Sequence, residues 1–236
     1  MSKVPISPIS GKYRIIYIAL LLAFALSILY WFLVRRGFIF AIAEIPEVLC
    51  LQGCPAEEKL HTPPVAKELL NYNKPLPELL ITTIDKQKIS LLIEKSKHRL
   101  TVYYDLKPIK SYPVVFGGNP TGDKFKEGDK KTPEGILRVR DLYPHPVWSK
   151  FIWLNYPNPS SWRKHFQAKF QAKSNGKVAW SDSIGGEVGI HGVPEDGDNA
   201  IDARNNWTLG CPSLKNKDVE EIYQWVKVGT IVEIVP

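Results

Sequence analysis

The first forty residues contain no acidic side chain, although Lys3, Lys12, Arg14, Arg35 and Arg36 all fall within them. Beyond that point the basic excess nearly vanishes. The rest of the chain holds 26 Lys and Arg against 24 Asp and Glu, so most of the formal net charge of +7 lies at one end. A broad basic surface is thereby excluded, and with it a nucleic-acid partner. Internal repeats and low-complexity tracts are also missing. With 44% hydrophobic and 23% charged residues, the chain has the mixture of a folded protein. Its 236 residues suit one ordinary domain plus an appendage.

Cysteine is scarce, at three residues. Cys50 and Cys54 stand four apart in Leu49-Cys50-Leu51-Gln52-Gly53-Cys54, and outside the cytosol such a pair can close a disulfide. A metal site there lacks a close third ligand, so no metal is expected. Leu51–Cys54 faintly resembles a lipid-attachment box, but Glu44 and Glu47 interrupt the apolar run that such a box needs. If Cys50 and Cys54 pair, Cys211 is an odd thiol in an exported protein.

The missing charge between Ile15 and Val34 carries the clearest signal. Twenty uncharged residues at about 1.5 Å each span roughly 30 Å, the thickness of a hydrocarbon core. Tyr30 and Trp31 lie near its far end, where amphipathic rings favour the interface. A cleaved leader would want a shorter apolar core and a small-x-small site directly after it. Ala41-Ile42-Ala43 has that form but lies behind Arg35-Arg36. The uncleaved anchor is favoured, with cleavage as the alternative. Three basic residues precede the span and two follow it, which orients the N-terminus inward.

The expected organisation is a cytoplasmic N-terminus (1–14), a transmembrane helix (15–34), a juxtamembrane segment with a proline-rich linker (35–83) and a folded domain (84–236). Pro63, Pro64, Pro75 and Pro77 predict a spacer with a short helix at 65–71. Ile89–Glu94 and Leu100–Tyr104 predict a hairpin, and Lys110–Phe116 a third strand. Gly117–Pro120 breaks that strand, and Ile136–Arg140 resumes the pattern. Residues 143–180 are rich in aromatics and prolines. Core and loop packing is the plain reading, a wall over a substrate groove is the alternative, and Ser161–Ala172 suits a helix. Glu187–His191 reads as a short strand. Asn216–Lys227 reads as a helix capped by Asn216 or Asp218 and stopped by Gly229, and Thr230–Val235 as a last strand. Strands dominate, so the expected class is a mainly β sandwich or barrel with one or two helices.

A cysteine nucleophile needs a base nearby and donors for the oxyanion that forms on attack. Trp207–Leu214 offers both the thiol of Cys211 and a glycine-containing turn. The amides of Leu209, Gly210 and Cys211 are candidate oxyanion donors, whereas Pro212 has none to give. His191, twenty residues upstream, is the candidate base. On residue type alone, a lone cysteine is more often a buried small hydrophobe and a lone histidine more often structural. His61, His98, His145 and His165 read as surface or packing residues. Asp196, Asp198 and Asp202 lack the spacing of a calcium loop and read as a solvated turn.

Taken together the segments resemble the L,D-transpeptidases of the YkuD type. That family has a strand ending in His-Gly, here His191-Gly192. A Ser/Thr-His-Gly-Cys segment follows, here Thr208-Leu209-Gly210-Cys211. Val114–Gly118 and Lys131-Thr132-Pro133-Glu134-Gly135 resemble its turn and Thr-Pro-x-Gly segment, and the C-terminal tail resembles its closing helix and strand. The likeness covers Ile89 to Val235. Two positions depart: Leu209 stands where many members have a second histidine, and Ser213 where many have Arg or Asn. The resemblance implies an extracytoplasmic acyl transferase, held by a single span in a bacterial cytoplasmic membrane and acting on peptidoglycan stem peptides without a cofactor. It makes Cys211 the nucleophile and His191 the base, its second ring nitrogen held by the Gly192 carbonyl, with Thr208 and Ser213 in support. It implies a Cys211 thioester formed as D-Ala leaves a tetrapeptide stem, then 3→3 cross-linking by an amine. An L,D-carboxypeptidase or amidase on the same scaffold, and a non-catalytic wall-binding module, are the alternatives.

Overall fold

A computed structural model describes residues 11–54, 58–65, 68–79, 84–175, 179 and 181–236. Most of the expected cytoplasmic N-terminus, residue 180 and part of the 65–71 helix fall outside them. Helix α1 spans Gly11–Arg35. Its side chains are exposed from Lys12 to Phe32, and the stretch Lys12–Arg35 is long and apolar enough to cross a membrane. A short helix α2, Ile45–Val48, follows, and Cys50 and Cys54 are joined in a disulfide.

The rest is mostly sheet: β1 (Ile89–Glu94), β2 (Arg99–Tyr104), β3 (Lys107–Pro113), β4 (Gly135–His145), β5 (Ser149–Leu154), β6 (Gly189–His191) and β7 (Ile231–Val235). Helices α3 (Pro159–Asn175), α4 (Asp198–Asp202) and α5 (Asn216–Trp225) complete the chain. The strands form one curled sheet, a half-barrel ordered β3-β2-β1-β7-β4-β5-β6. The hairpin and closing strand stand where expected, and β7 runs parallel to β1 at its centre. The third strand begins and ends about three residues earlier than its apolar run predicts. Strand β4 is longer than its sequence signal: its first half pairs with β7 and its second half with β5, across a register shift between Val139 and Asp141. That irregularity bends the sheet and carries it toward β6.

The core joins Leu91, Ile93, Leu137, Ile152, Val219, Ile222 and Val232, as alternating strand residues and one helical stripe predict. Helix α3 is capped by Asn158, whose Oδ1 accepts from the Ser161 amide at 2.9 Å. Helix α5 starts differently from the expectation. Lys215 is its N-cap residue and no side chain caps it. Asn216 instead accepts from the Val193 amide and Asp218 from the Tyr72 hydroxyl.

The proline-rich segment is not a free spacer. Strand β1 is buried along its whole length, because residues 60–64 cross its second face. The Leu60 and His61 amides donate to Glu233. The His61 ring lies 2.7 Å from both Glu233 and Ser90, Tyr103 donates to the Thr62 carbonyl, and Arg99 to that of Pro64. Farther along, Leu76 is fully buried and its amide meets Glu221. Proline suits this strap for the reason it suited a spacer: it holds an extended chain and forgoes backbone donors.

Candidate functional site

Strand β6 ends at His191, paired with Phe151 of β5. The next residue must be small: a side chain at position 192 would meet Asn216 Oδ1 at 2.0 Å and the Trp148 carbonyl at 2.7 Å. Gly192 therefore lets the chain turn beneath those groups while its carbonyl faces back. His191 Nδ1 lies 2.6 Å from that carbonyl. A carbonyl only accepts, so Nδ1 carries the hydrogen and Nε2 keeps its lone pair. Ser213 Oγ donates to the same oxygen at 3.0 Å, fixing the acceptor that fixes the imidazole.

The imidazole is 2% exposed. Trp148 stacks on it at 4.3 Å, His145 stacks on Trp148 at the same spacing, Phe151 lies parallel at 5.9 Å, and Trp207 meets it edge-on. Burial in this aromatic box pushes the His191 pKa down to about 4, against a smaller upward pull from the Gly192 carbonyl. The ring is neutral at physiological pH.

Cys211 lies on the turn that faces this box. Its sulfur accepts from the Gly189 amide at 3.4 Å and its thiol is 3.8 Å from the Glu187 carbonyl. Burial pushes the thiol up to about 11, with the Gly189 amide and the Lys124 ammonium pulling the other way. Both shifts favour the neutral forms, thiol and imidazole. Gly210, at φ +147° and with Lys131 O only 2.6 Å from where a Cβ would stand, has the backbone that glycine permits. The amide of Gly210 is already committed, donating to Thr208 Oγ1 at 3.1 Å, while that hydroxyl donates to the Cys211 carbonyl at 2.7 Å. Of the three expected oxyanion donors, only the amides of Leu209 and Cys211 are without a hydrogen-bond partner among the described residues. Thr208 thus braces the turn, and Leu209 stands 76% exposed at its rim.

Cys211 and His191 both line one groove of about 1180 Å³, as do Thr208, Leu209 and Gly210. Gly192 and Ser213 lie behind it. The aromatic stretch supplies part of the groove wall, the alternative reading of residues 143–180: Tyr143, His145, Trp148, Phe151 and Trp153 line it. Phe151 and Trp153 alternate with the core residues Ile152 and Leu154, a strand pattern hidden among aromatics. His145, expected at the surface or in packing, joins the stack over the candidate base. Lys124 is buried, held by Asp129 and the Lys126 carbonyl, and lines the groove 3.9 Å from the Cβ position of Gly210. Arg35 and Arg36, at the end of α1, form part of the wall.

Among the other expected surface or packing residues, His61 and His165 are fully buried. The expected solvated acidic turn is instead largely helix α4, where Asp202 pairs with Lys215 and Asp198 accepts from the Asn216 amide.

The family model of the YkuD L,D-transpeptidase catalytic domain matches residues 88–234. Among solved structures, the helical cell shape determining protein Pgp2 from Campylobacter jejuni is 27% identical, with 62% of this chain and 46% of that one covered and a TM-score of 0.42. Bd1075 from Bdellovibrio bacteriovorus is 19% identical, with 63% and 48% covered and a TM-score of 0.42. An L,D-transpeptidase from Mycobacterium smegmatis is 16% identical, with 63% and 59% covered and a TM-score of 0.39. The chain thus spans about half the length of the solved structures it matches. No curated protein matches it.

Proposed function

Because this chain belongs to the YkuD family of L,D-transpeptidase catalytic domains, we propose that it is a peptidoglycan L,D-transpeptidase, with Cys211 as nucleophile and His191 as general base. The observation that carries the reading is the Nδ1 contact of His191 with the Gly192 carbonyl, in the same groove as a lone thiol. This contact leaves Nε2 as the free basic nitrogen. With both groups neutral in one groove, the imidazole takes the thiol proton as attack proceeds.

In this mechanism sulfur attacks the carbonyl carbon of the third residue of a tetrapeptide stem as Nε2 takes the thiol proton. The amides of Leu209 and Cys211 receive the developing oxyanion. Collapse breaks the peptide bond, the imidazolium returns its proton to the departing D-Ala amine, and a Cys211 thioester is left. An amine of a second stem then attacks that thioester, loses its proton through His191 and releases the thiol, closing a 3→3 cross-link. No cofactor enters the cycle. Helix α1 is read as the membrane span over residues 15–34, with the groove on the extracytoplasmic side, residues 35–83 joining span to domain and strapped onto it through 60–64 and Leu76, and 84–236 carrying the catalytic residues.

The full chain in detergent, incubated with disaccharide-tetrapeptide beside its Cys211→Ala variant, tests this by the masses of the products. A cross-linked dimer from the unaltered chain alone is expected. Tripeptide without dimer would instead assign an L,D-carboxypeptidase, with water as the acceptor. Equal, unchanged substrate in both samples would remove the catalytic reading.

A further inference from the structure

The stretch that leaves α1 presents apolar side chains on the side turned away from the domain. Phe40 and Val48 point inward: Phe40 packs against Trp162 and Phe166 of α3, and Val48 is 4% exposed. Phe38, Ile42, Leu49 and Leu51 are 57–68% exposed. Such a division, with one set of residues seated on the domain and the other bare, marks a surface with a second partner.

Two contacts say what that partner is. The Ile42 amide donates to the Tyr30 hydroxyl at 2.9 Å, so the chain turns back and lies beside the last turns of α1. At about 1.5 Å per residue, Tyr30 lies roughly 7 Å below Arg35 along the helix axis, a depth that belongs to the interface of any bilayer that α1 crosses. The junction is also tied down. Arg35 pairs with Asp141 at 3.0 Å, Arg36 pairs with Glu187, and Arg163 of α3 donates to the Glu47 carbonyl. The disulfide between Cys50 and Cys54 closes the loop that carries Leu51. The bare residues therefore cannot swing away from the plane in which α1 ends.

We propose that residues 38–51 form a foot that seats the domain on the outer surface of the lipid bilayer, with Phe38, Ile42, Leu49 and Leu51 immersed at headgroup depth. The inference rests on the reading of α1 as a membrane span. The acids of this stretch are compatible with that depth: Glu44 accepts from the Ala41 amide, and Glu47 is exposed at the polar level where an interfacial segment keeps its charges. Since Arg35 and Arg36 also wall the groove that holds Cys211, the foot holds that groove close to the membrane surface. The substrate it favours is a stem peptide lying against the bilayer, not one at the end of a long tether.

The full chain carrying Cys211→Ala, reconstituted in vesicles of phosphatidylethanolamine and phosphatidylglycerol, provides the test without reading turnover. A polarity-sensitive fluorophore is placed at Ile42→Cys, and in a second sample at Leu106→Cys, in the exposed β2–β3 turn. Spin-labelled lipid should quench the probe at 42, and iodide should reach it at least threefold less efficiently than the probe at 106. Adding Leu49→Ser and Leu51→Ser should raise iodide access at 42 about twofold. Equal iodide access at 42 and 106, in protein that alkaline carbonate does not extract, would overturn the foot alone. Extraction by carbonate would overturn both the foot and the span.

Discussion

At the residue scale, the candidate base is tuned by what surrounds it. An ordinary imidazole would place the acidic limb of activity near pH 6.5. Burial moves the His191 pKa down to about 4, so its lone pair is available throughout pH 5–8. Turnover per encounter, kcat/KM, should be flat across that range and fall as pH drops through about 4. A limb centred near 6.5 would show that His191 is exposed or is not the base. Ser213 acts one step back, through the Gly192 carbonyl. Ser213→Ala removes a buried hydrogen bond worth about 1 kcal/mol, and kcat should fall roughly fivefold with KM unchanged. Lys124 is the buried cation nearest the turn. In Lys124→Met, the pH midpoint for alkylation of Cys211 by iodoacetamide should move upward, while Lys124→Arg should leave it nearly in place. An unmoved midpoint in folded Lys124→Met would show that the ammonium serves only the loop around Asp129.

At the element scale, the strap over β1 and β7 changes what counts as the domain. Leu76 lies in a segment whose prolines suggest a tether, yet it is fully buried. Leu76→Ala should therefore cost about 2–5 kcal/mol in denaturant unfolding, whereas a residue of a free tether would cost nothing. His61→Ala leaves Glu233, 2% exposed, without its ring partner, and the lost buried hydrogen bond should cost about 1–3 kcal/mol. The strap was not legible in the sequence, because an extended proline-rich chain looks the same whether it crosses water or a sheet. The hairpin, the closing helix and the last strand were legible, since their apolar periods report the face they bury. Strand β5 was hidden, because Phe151 and Trp153 break the contrast between its two faces. One face lines the groove through Phe151 and Trp153 and the other enters the core through Ile152 and Leu154, so both are apolar.

At the scale of the whole molecule, helix α1, the stretch 38–51 and the groove are joined through Arg35, Arg36 and Phe40. Charge follows the same layout, with bases gathered around the apolar run and a near-balance beyond it. Stability should report the same lowered pKa over a different window. His191 stays neutral when folded down to about pH 4 but takes up a proton near 6.5 once unfolded. Its contribution is therefore complete above about 6.5 and is lost as pH falls toward 4. In differential scanning, the melting temperature of the unaltered chain should decline relative to that of His191→Gln over that window. Parallel curves would show that the ring is solvated in the folded state.

The sequence by itself determined the apolar run of helix α1 and the mainly β class, which rest on local physics: the length of an uncharged run and the period of buried side chains. The pairing of a His-Gly turn with a Gly-Cys turn came from the resemblance to a family. The tertiary structure alone decided that Trp148 stacks on His191 with Phe151 alongside and that their burial of the ring lowers its basicity, that Gly210 gives its amide to Thr208, that Lys124 stands beside the thiol turn, and that Pro63 and Pro64 lie on a sheet. Those facts depend on which distant residues meet and how much water they exclude. Burial and pairing belong to the folded contact, and no stretch of chain carries them alone.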